Sequence, residues 1–416
     1  GYFDQETLGV NPKPNPADGT VDVEYTVEEK PSDQLELSGG YGANQLVGTL
    51  GLSFNNFSAR NMFNSSAWSP LPSGDGQRLS LRAQSNGRYF QSYNASFTEP
   101  WLGGKKPNSL SVSIFQSIQS NGRPKGDILR SQIKITGVSV GLGKRLKKPD
   151  DFFTLYQEVS FQLYQLNNYT GSFIYSTGTS KSLNFTETLS RNSVDAPIYP
   201  RSGSSNSISL EFTPPWSIAN FKHIDYKNAT ISQKYEWIEY YKVKFNSDWY
   251  NKVVGTLVFH SRIMFGFLSY YNGNIGQSPF ERFYLGGDGL SGFTIDGREI
   301  IALRGYSNYS LTPRDRYNRQ VGGTIYDKFT FELRYPLSLN PSATIFAVTF
   351  AEAGNCWLGF NQFNPFNMKR AAGAGIRIFL PVFGLLGLDW GYGFDPILNY
   401  PGANGAHFHF MLGQQF

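Results

Sequence analysis

The sequence predicts an all-β fold. It reads as a sixteen-stranded antiparallel transmembrane β-barrel with a lumen-inserted extracellular loop, preceded by the C-terminal remnant of a small α/β domain. Three observations predict it. Alternating apolar and polar runs recur from Gln34 to the end without a convincing helix. The connections between them alternate between compact and long. The last ten residues put Phe408, Phe410 and Leu412 on one parity and His407, His409, Met411 and Gly413 on the other, ending on a bare aromatic, Phe416. Successive side chains of a strand point to opposite faces, so one face here is greasy and the other polar or small. Lipid on one side and a lumen on the other ask for that pattern.

Composition agrees. No run of about 18 apolar residues occurs, which excludes a transmembrane helix. Mean hydropathy is only -0.35, as expected where alternate residues alone meet lipid. Aromatics reach 16% and glycines number 44, while charged residues are held to 17%. Tyr and Trp suit interfacial girdles, and Gly suits turns and close lumen packing. The net charge of +5 is small for 416 residues, so no nucleic-acid partner is expected. One cysteine, Cys356, rules out an intramolecular disulfide, and four histidines without Cys or carboxylate spacing give no metal motif.

Residues 1–33 differ from the rest. A Pro/Asn/Gly stretch, Asn11 to Gly19, leads into Val21-Asp22-Val23-Glu24-Tyr25-Thr26-Val27, whose alternation predicts a half-buried soluble strand ended by Pro31. No signal peptide opens at Gly1, and the expectation is a mature chain lacking the earlier part of this domain. Residues 34–416 form the second domain. Strands are predicted at 34–42, 45–55, 77–86, 88–98, 109–119, 128–144, 152–167, 180–190, 203–212, 234–249, 253–271, 327–338, 343–354, 369–380, 385–394 and 406–416.

One set of connections is compact and Pro-rich: Glu99-Pro100-Trp101, Pro197 to Pro200, Tyr335-Pro336-Leu337 and Leu380-Pro381-Val382. The other is longer: 168–179, 213–233, 272–326, 355–368 and 395–405. Short turns at one rim and long loops at the other are the asymmetry of outer-membrane barrels. Segment 56–76 is the exception, long but on the short-turn side. Lys144-Arg145-Leu146-Lys147-Lys148 reads as a solvated basic turn on that side. Asn355-Cys356-Trp357 is read as the start of an outer loop. The aromatics of 357–366, Trp357, Phe360, Phe363 and Phe366, read as a cap over the barrel mouth in preference to the alternative, a surface patch for a partner.

Sixteen strands enclose more space than their side chains fill. The longest connection, 272–326, is the predicted plug. It carries Phe280-Glu281-Arg282-Phe283-Tyr284-Leu285-Gly286-Gly287 and Leu303-Arg304-Gly305-Tyr306, and its aromatics and glycines argue against disorder. Arg304 in a lumen needs an acidic partner. Glu352 shares a strand face with Phe350 and Gly354. Asp389 shares one with Gly387 and Gly391, opposite Leu388, Trp390 and Tyr392. A lipid-facing carboxylate is costly, so both should point inward. A guanidinium forked onto carboxylates would hold the loop as a latch. Parity alone favours the plainer reading, ordinary lumen charges satisfied by water or neighbours, over the latch.

Leu303-Arg304-Gly305-Tyr306 resembles the VRGF/VRGY loop motif of the BamA superfamily of outer-membrane insertases and two-partner-secretion transporters. Phe350-Ala351-Glu352-Ala353-Gly354 resembles its F-x-D/E-x-G strand motif. Phe280 to Gly287, the Ile376-Arg377-Ile378-Phe379-Leu380-Pro381 turn and the terminal Phe416 are similar as well, and residues 1–33 resemble the end of a last POTRA domain. Leu303 departs from the usual Val, and Glu352 from the commoner Asp. The resemblance implies a sixteen-stranded barrel in the bacterial outer membrane that folds and inserts other β-barrels. Its implied partners are unfolded outer-membrane proteins, accessory outer-membrane lipoproteins, periplasmic chaperones and the lipid bilayer. It makes Arg304, Gly305 and Tyr306 the loop motif, Glu352 the strand partner and Asp389 a second partner.

The first and last strands should form the closing seam. Leu35, Leu37, Gly39, Gly40 and Gly42 lie on one side, with Phe408, Phe410, Leu412, Gly413 and Phe416 on the other. Three glycines in four positions weaken pairing. A seam that opens exposes N–H and C=O groups that template an added strand. Neither catalytic residues nor a cofactor are expected, so the driving free energy would come from the client's own folding. A secretion pore of the two-partner or TamA-like type is the alternative. An enzyme within a barrel would have to draw its base from His223, His260, His407 or His409, none of which accompanies a Ser-centred motif.

Overall fold

The computed structural model describes residues 9–16, 19–28, 33–42, 45–68, 71–104, 106–169, 176–289, 298–340, 342–380, 384–398 and 400–412. Gly413, Phe416 and the Pro381-Val382 part of one predicted turn lie outside them. So does the Glu29-Lys30-Pro31 lead into the first barrel strand.

The chain opens with a hairpin, β1 (Gly9–Asn15) and β2 (Thr20–Thr26), paired from Gly9↔Thr26 to Asn15↔Thr20. One sixteen-stranded sheet follows. Its first half is β3 (Gln34–Gly42), β4 (Gln45–Phe57), β5 (Gln77–Ser85), β6 (Phe90–Glu99), β7 (Asn108–Ser120), β8 (Gln132–Arg145), β9 (Phe153–Asn167) and β10 (Gly178–Asn192). β11 (Gly203–Phe212), β12 (Tyr241–Val254) and β13 (Leu257–Ser269) come next. A separate parallel pair, β14 (Phe283–Leu285) and β15 (Glu299–Ile301), precedes β16 (Ile325–Asn340), β17 (Ala343–Trp357), β18 (Lys369–Leu380), β19 (Gly384–Gly393) and β20 (Ala406–Leu412). Each strand of the sheet is antiparallel to its sequence neighbour, and β13 passes directly to β16.

Alternation is clearest in β16. Phe329, Phe331, Leu333 and Tyr335 share the outer parity, while Lys328, Thr330, Glu332 and Arg334 are buried on the inner one. The sheet is rolled, and a distance argument shows it. β9 and β19 stand eight steps apart in the strand order. At about 4.8 Å per step a flat sheet would separate them by roughly 40 Å. Yet the 270–324 connection touches both: Phe280 stacks on Tyr164 of β9 at 4.1 Å, and Arg304 bonds Asp389 of β19 at 3.0 Å. The core follows from this. Phe280, Phe283, Leu285, Leu303, Tyr306 and Leu311 of the connection pack on Ile133, Ile135, Tyr164, Tyr240, Leu268 and Tyr326 of the inner wall. On the short-turn side, Tyr199 tucks inward, and its hydroxyl donates to the carbonyl of Arg334 at 2.9 Å.

Several expectations need correction. The strand expected at 234–249 begins only at Tyr241, because a capping box at Thr230 and Gln233 starts a helical turn and Tyr235, Ile238 and Tyr240 then pack into the core. That same connection carries two four-residue helices, α1 (Trp216–Ala219) and α2 (Ile231–Lys234), where none was expected. The predicted plug, where no strand is expected, holds the three-residue strands β14 and β15. Tyr335-Pro336-Leu337 is no connection. It lies within β16, where a register shift between Pro336 and Ser338 accommodates the missing N–H. β2 was expected half-buried, but both its faces are exposed, Val21 at 54% and Tyr25 at 64%. Its ladder is with β1, and no described residue covers its apolar side. Asn355, Cys356 and Trp357 end β17 rather than opening a loop, and Cys356 is buried on the inner face.

Candidate functional site

The site is built where the long connection meets β16 to β20. Leu303 is fixed first. It exchanges backbone hydrogen bonds with Gly287, both 3.0 Å, which sets the direction of the next residue. Arg304 then points at the inner wall and is 0% exposed. Its backbone N–H donates to Glu352 Oε2 at 2.9 Å. One terminal nitrogen donates to Glu352 Oε1 at 2.8 Å and to Glu332 Oε1 at 2.9 Å, and the other to Asp389 Oδ2 at 3.0 Å. The guanidinium lies 3.4 Å from the ring centroid of Phe350, a cation–π contact that is strengthened by desolvation.

Gly305 has to be glycine. Its φ is +80, and a Cβ there would lie 2.5 Å from the backbone nitrogen of Gly393. Its N–H donates to His409 Nε2 at 2.9 Å. Tyr306 is wholly buried, and its hydroxyl donates to the carbonyl of Arg370 at 2.9 Å. Burial pushes that phenol up to about 12, so it stays a donor. Asp395, beside it, forks onto Arg370 at 2.8 and 3.1 Å, and this bonding holds its carboxyl below the usual aspartate range.

Each carboxylate that Arg304 reaches already has a cation on the wall. Lys328 Nζ is 3.1 Å from Glu352 Oε1. Arg334 bonds Glu332 Oε2 at 2.6 Å. Arg377 grips Asp389 bidentately at 2.5 and 2.7 Å. The ladder continues through His260, which contacts Asp248 at 2.7 Å, and Arg262, which donates to Asp248 at 2.6 Å. Three carboxylates and three wall cations balance, and Arg304 is the surplus charge that the loop brings.

A second anchorage holds the loop's other end. Lys242 of β12 is buried and lies 2.7 Å from Glu299 and 3.1 Å from Glu281. Tyr164 stacks on Phe280, and its hydroxyl donates to Glu281 at 3.4 Å.

Of the residues singled out from sequence, Arg304, Gly305, Tyr306, Glu352 and Asp389 converge in this one cluster. His409 joins it as a hydrogen-bond acceptor. Sequence reasoning missed Glu332, Lys328, Arg334, Arg377 and Lys242. The inner parity of β16 would have flagged the first three. The seam residues lie on the two strands at the ends of the sheet order, β3 and β20. There Leu35, Phe408 and Phe410 are exposed, while the side chains of Leu37 and Leu412 are not described. The aromatic connection at 358–368 does not cap the mouth: Phe360 and Phe363 pack against Phe267 and Phe265 on the outer face of β13, at 4.7 and 6.4 Å.

A family model for the Omp85 superfamily domain matches residues 73–416. The chain belongs to the Omp85 superfamily. The superfamily's members are outer-membrane β-barrel proteins of Gram-negative bacteria that insert or translocate proteins. Among solved structures, BamA from Haemophilus ducreyi lacking POTRA domains 1–3 is similar at 18% identity and a TM-score of 0.64, over 99% of this chain and 75% of that one. CdiB from Escherichia coli is similar at 14% and 0.58, over 97% and 67%. CdiB from Acinetobacter baumannii is similar at 12% and 0.56, over 98% and 64%. At these identities the likeness shows the fold. No curated protein sequence matches this Omp85 chain.

Proposed function

We propose that this chain is the central barrel of an outer-membrane protein assembly machine, resident in the outer membrane. In this reading β3 meets β20 to close the sheet, and client β-barrels fold and insert through that seam. The observation that carries it is the character of the two end strands. β3 and β20 stand at the two ends of the sheet order, and β3 contains Gly39, Gly40 and Gly42. Glycine-rich ladders are weak, and a weak ladder opens to offer its N–H and C=O groups to an incoming strand. The client then enters lipid with its backbone satisfied.

The ionic latch of Arg304 to Glu332, Glu352 and Asp389 keeps the long loop on the wall that leads to β20, so it braces the seam's C-terminal side. The chain uses no cofactor and performs no catalysis. Its partners are unfolded outer-membrane proteins delivered by periplasmic chaperones, accessory outer-membrane lipoproteins and the bilayer. Residues 1–33 end a periplasmic POTRA domain, which accounts for the uncovered apolar side of β2, and residues 34–416 are the barrel.

A disulfide joining the Leu37 and Phe410 neighbourhoods tests the seam. Oxidation should stop client insertion and reduction should restore it. Full insertion by a demonstrably locked chain sinks the reading. The likeness to CdiB favours a second reading, a two-partner-secretion or TamA-like translocation barrel. Depletion in the host separates the two: broad loss of outer-membrane proteins fits assembly, and loss of one exported protein fits secretion.

A further inference from the structure

We propose that the 358–368 connection is a lipid anchor, its aromatic side chains seated in the interfacial layer of the outer leaflet. It rests on the reading that the rolled sheet spans a membrane. Trp357, Phe265 and Phe267 all have outer parity on their strands, opposite the buried Cys356, Gly266 and Leu268. The connection folds back over them. Phe363 meets Trp357 edge-on at 5.0 Å and Phe265 at 6.4 Å, and Phe360 meets Phe267 at 4.7 Å. Tyr241 and Tyr271 extend the patch from Phe267 at 5.8 and then 5.5 Å. The result is an aromatic shelf on the long-loop rim, continuous with the row of outer-face side chains below it.

The shelf is held in shape rather than left loose. Asn364 Oδ1 accepts from the N–H of Phe366 at 3.0 Å, and its carbonyl from that of Asn367 at 3.0 Å. Asn355 Nδ2 donates to the carbonyl of Asn367 at 2.6 Å, tying the loop's end to β17. The turn therefore presents Phe366 at 89% exposure and Phe360 at 60%. Two fixed, exposed phenylalanines are unfavourable in water. Beside them stand Asn361, Gln362, Asn364 and Asn367, all exposed, whose amides suit the headgroup layer. Rings below and amides beside them match the depth where bilayer polarity changes. The occupant is lipid, because the shelf prolongs the lipid-facing surface instead of facing the lumen.

The test uses the full chain refolded into phosphatidylcholine–phosphatidylglycerol vesicles, with an environment-sensitive fluorophore on Phe366→Cys. The unsubstituted chain gives the background from buried Cys356. Lys125→Cys, in an exposed loop of the same rim, is the aqueous control, and Phe331→Cys, on the outer face of β16, is the lipid control. The Phe366 probe should shift its emission to the blue, lose intensity with brominated acyl chains and resist iodide, as the Phe331 probe does. Red emission and iodide quenching at 366, with the Phe331 probe still quenched by brominated lipid, overturn the anchor alone. Aqueous behaviour of both probes overturns the membrane reading and the anchor with it. A chain counts only if it keeps the heat-modifiable gel migration of the folded form. Should the Phe366 variant fail that, Phe360→Cys is read by the same criteria.

Discussion

Arg304→Ala should destabilise the folded chain less than Glu332→Ala, although Arg304 is the residue with three carboxylate partners. The reason is charge balance. Without Arg304 the wall retains Glu352 with Lys328, Glu332 with Arg334 and Asp389 with Arg377. Three anions face three cations, and none is stranded. The loop forfeits charge-assisted bonds of 2.8, 2.9 and 3.0 Å, but each carboxylate keeps its wall cation. The loop keeps the bond from the Arg304 N–H to Glu352 and those made by Gly305 and Tyr306. The net cost should fall near the lower end of the range for breaking a buried pair, about 3 kcal/mol.

Glu332→Ala is different. It leaves Arg304, Lys328, Arg334 and Arg377 against Glu352 and Asp389, a surplus of two buried cations, and the cost should reach the upper end, about 5 kcal/mol or more. The double variant has a surplus of one. It should therefore be less destabilised than the sum of the singles, with a coupling of about 1–3 kcal/mol. Urea unfolding in vesicles, followed by tryptophan emission, gives the ranking at constant slope. If Arg304→Ala costs as much as Glu332→Ala, or if the two effects simply add, the picture of a neutral socket receiving one surplus charge is wrong.

Gly305→Ala meets both a positive φ and the Gly393 backbone, whereas Gly276→Ala meets φ +79 with open space around it. Strain alone costs about 1–3 kcal/mol, so the Gly305 variant should lose clearly more stability; equal losses would discount the close approach. Lys242→Met leaves Glu281 and Glu299 without their buried cation and should loosen the loop near Phe283, whose carbonyl lies 3.6 Å from Cys356 Sγ. Cys356 should then alkylate faster with a water-soluble maleimide than in the parent chain, and an unchanged rate would argue that this anchorage is dispensable. Bonding to Arg370 depresses Asp395 below the ordinary aspartate range. Its clamp should be fully present above pH 4 and fade as pH falls below that, because the folded state then binds the proton less readily than the unfolded one. Protection factors across 394–398 and 400–405, taken relative to the intrinsic exchange rate at each pH, should fall on acidification, and Asp395→Asn should show the lower protection already at neutral pH. A variant whose exchange matched the parent's would remove the clamp.

The strand pattern was legible because a two-sided environment writes itself into every second residue. Phe329 to Tyr335 and Leu388 to Tyr392 declare their faces without reference to any other strand. The inward placement of Glu352 and Asp389 followed from the same rule, since a carboxylate in lipid is too costly. Local parity says nothing about distance around a rolled sheet. Lys328 faces Glu352, and Arg377 faces Asp389, through the register of adjacent strands, but that Arg304 reaches Glu332 as well and that Lys242 secures the opposite end are consequences of curvature. Curvature brings β9, β12 and β19 to one loop. The 358–368 connection failed for a related reason. Its aromatics say that it is buried against something, but only the fold decides whether a loop leaving a rim bends over the lumen or back along the outer wall. Sequence determined which face each residue prefers; tertiary structure decided which faces meet, because that depends on contacts between strands far apart in the chain.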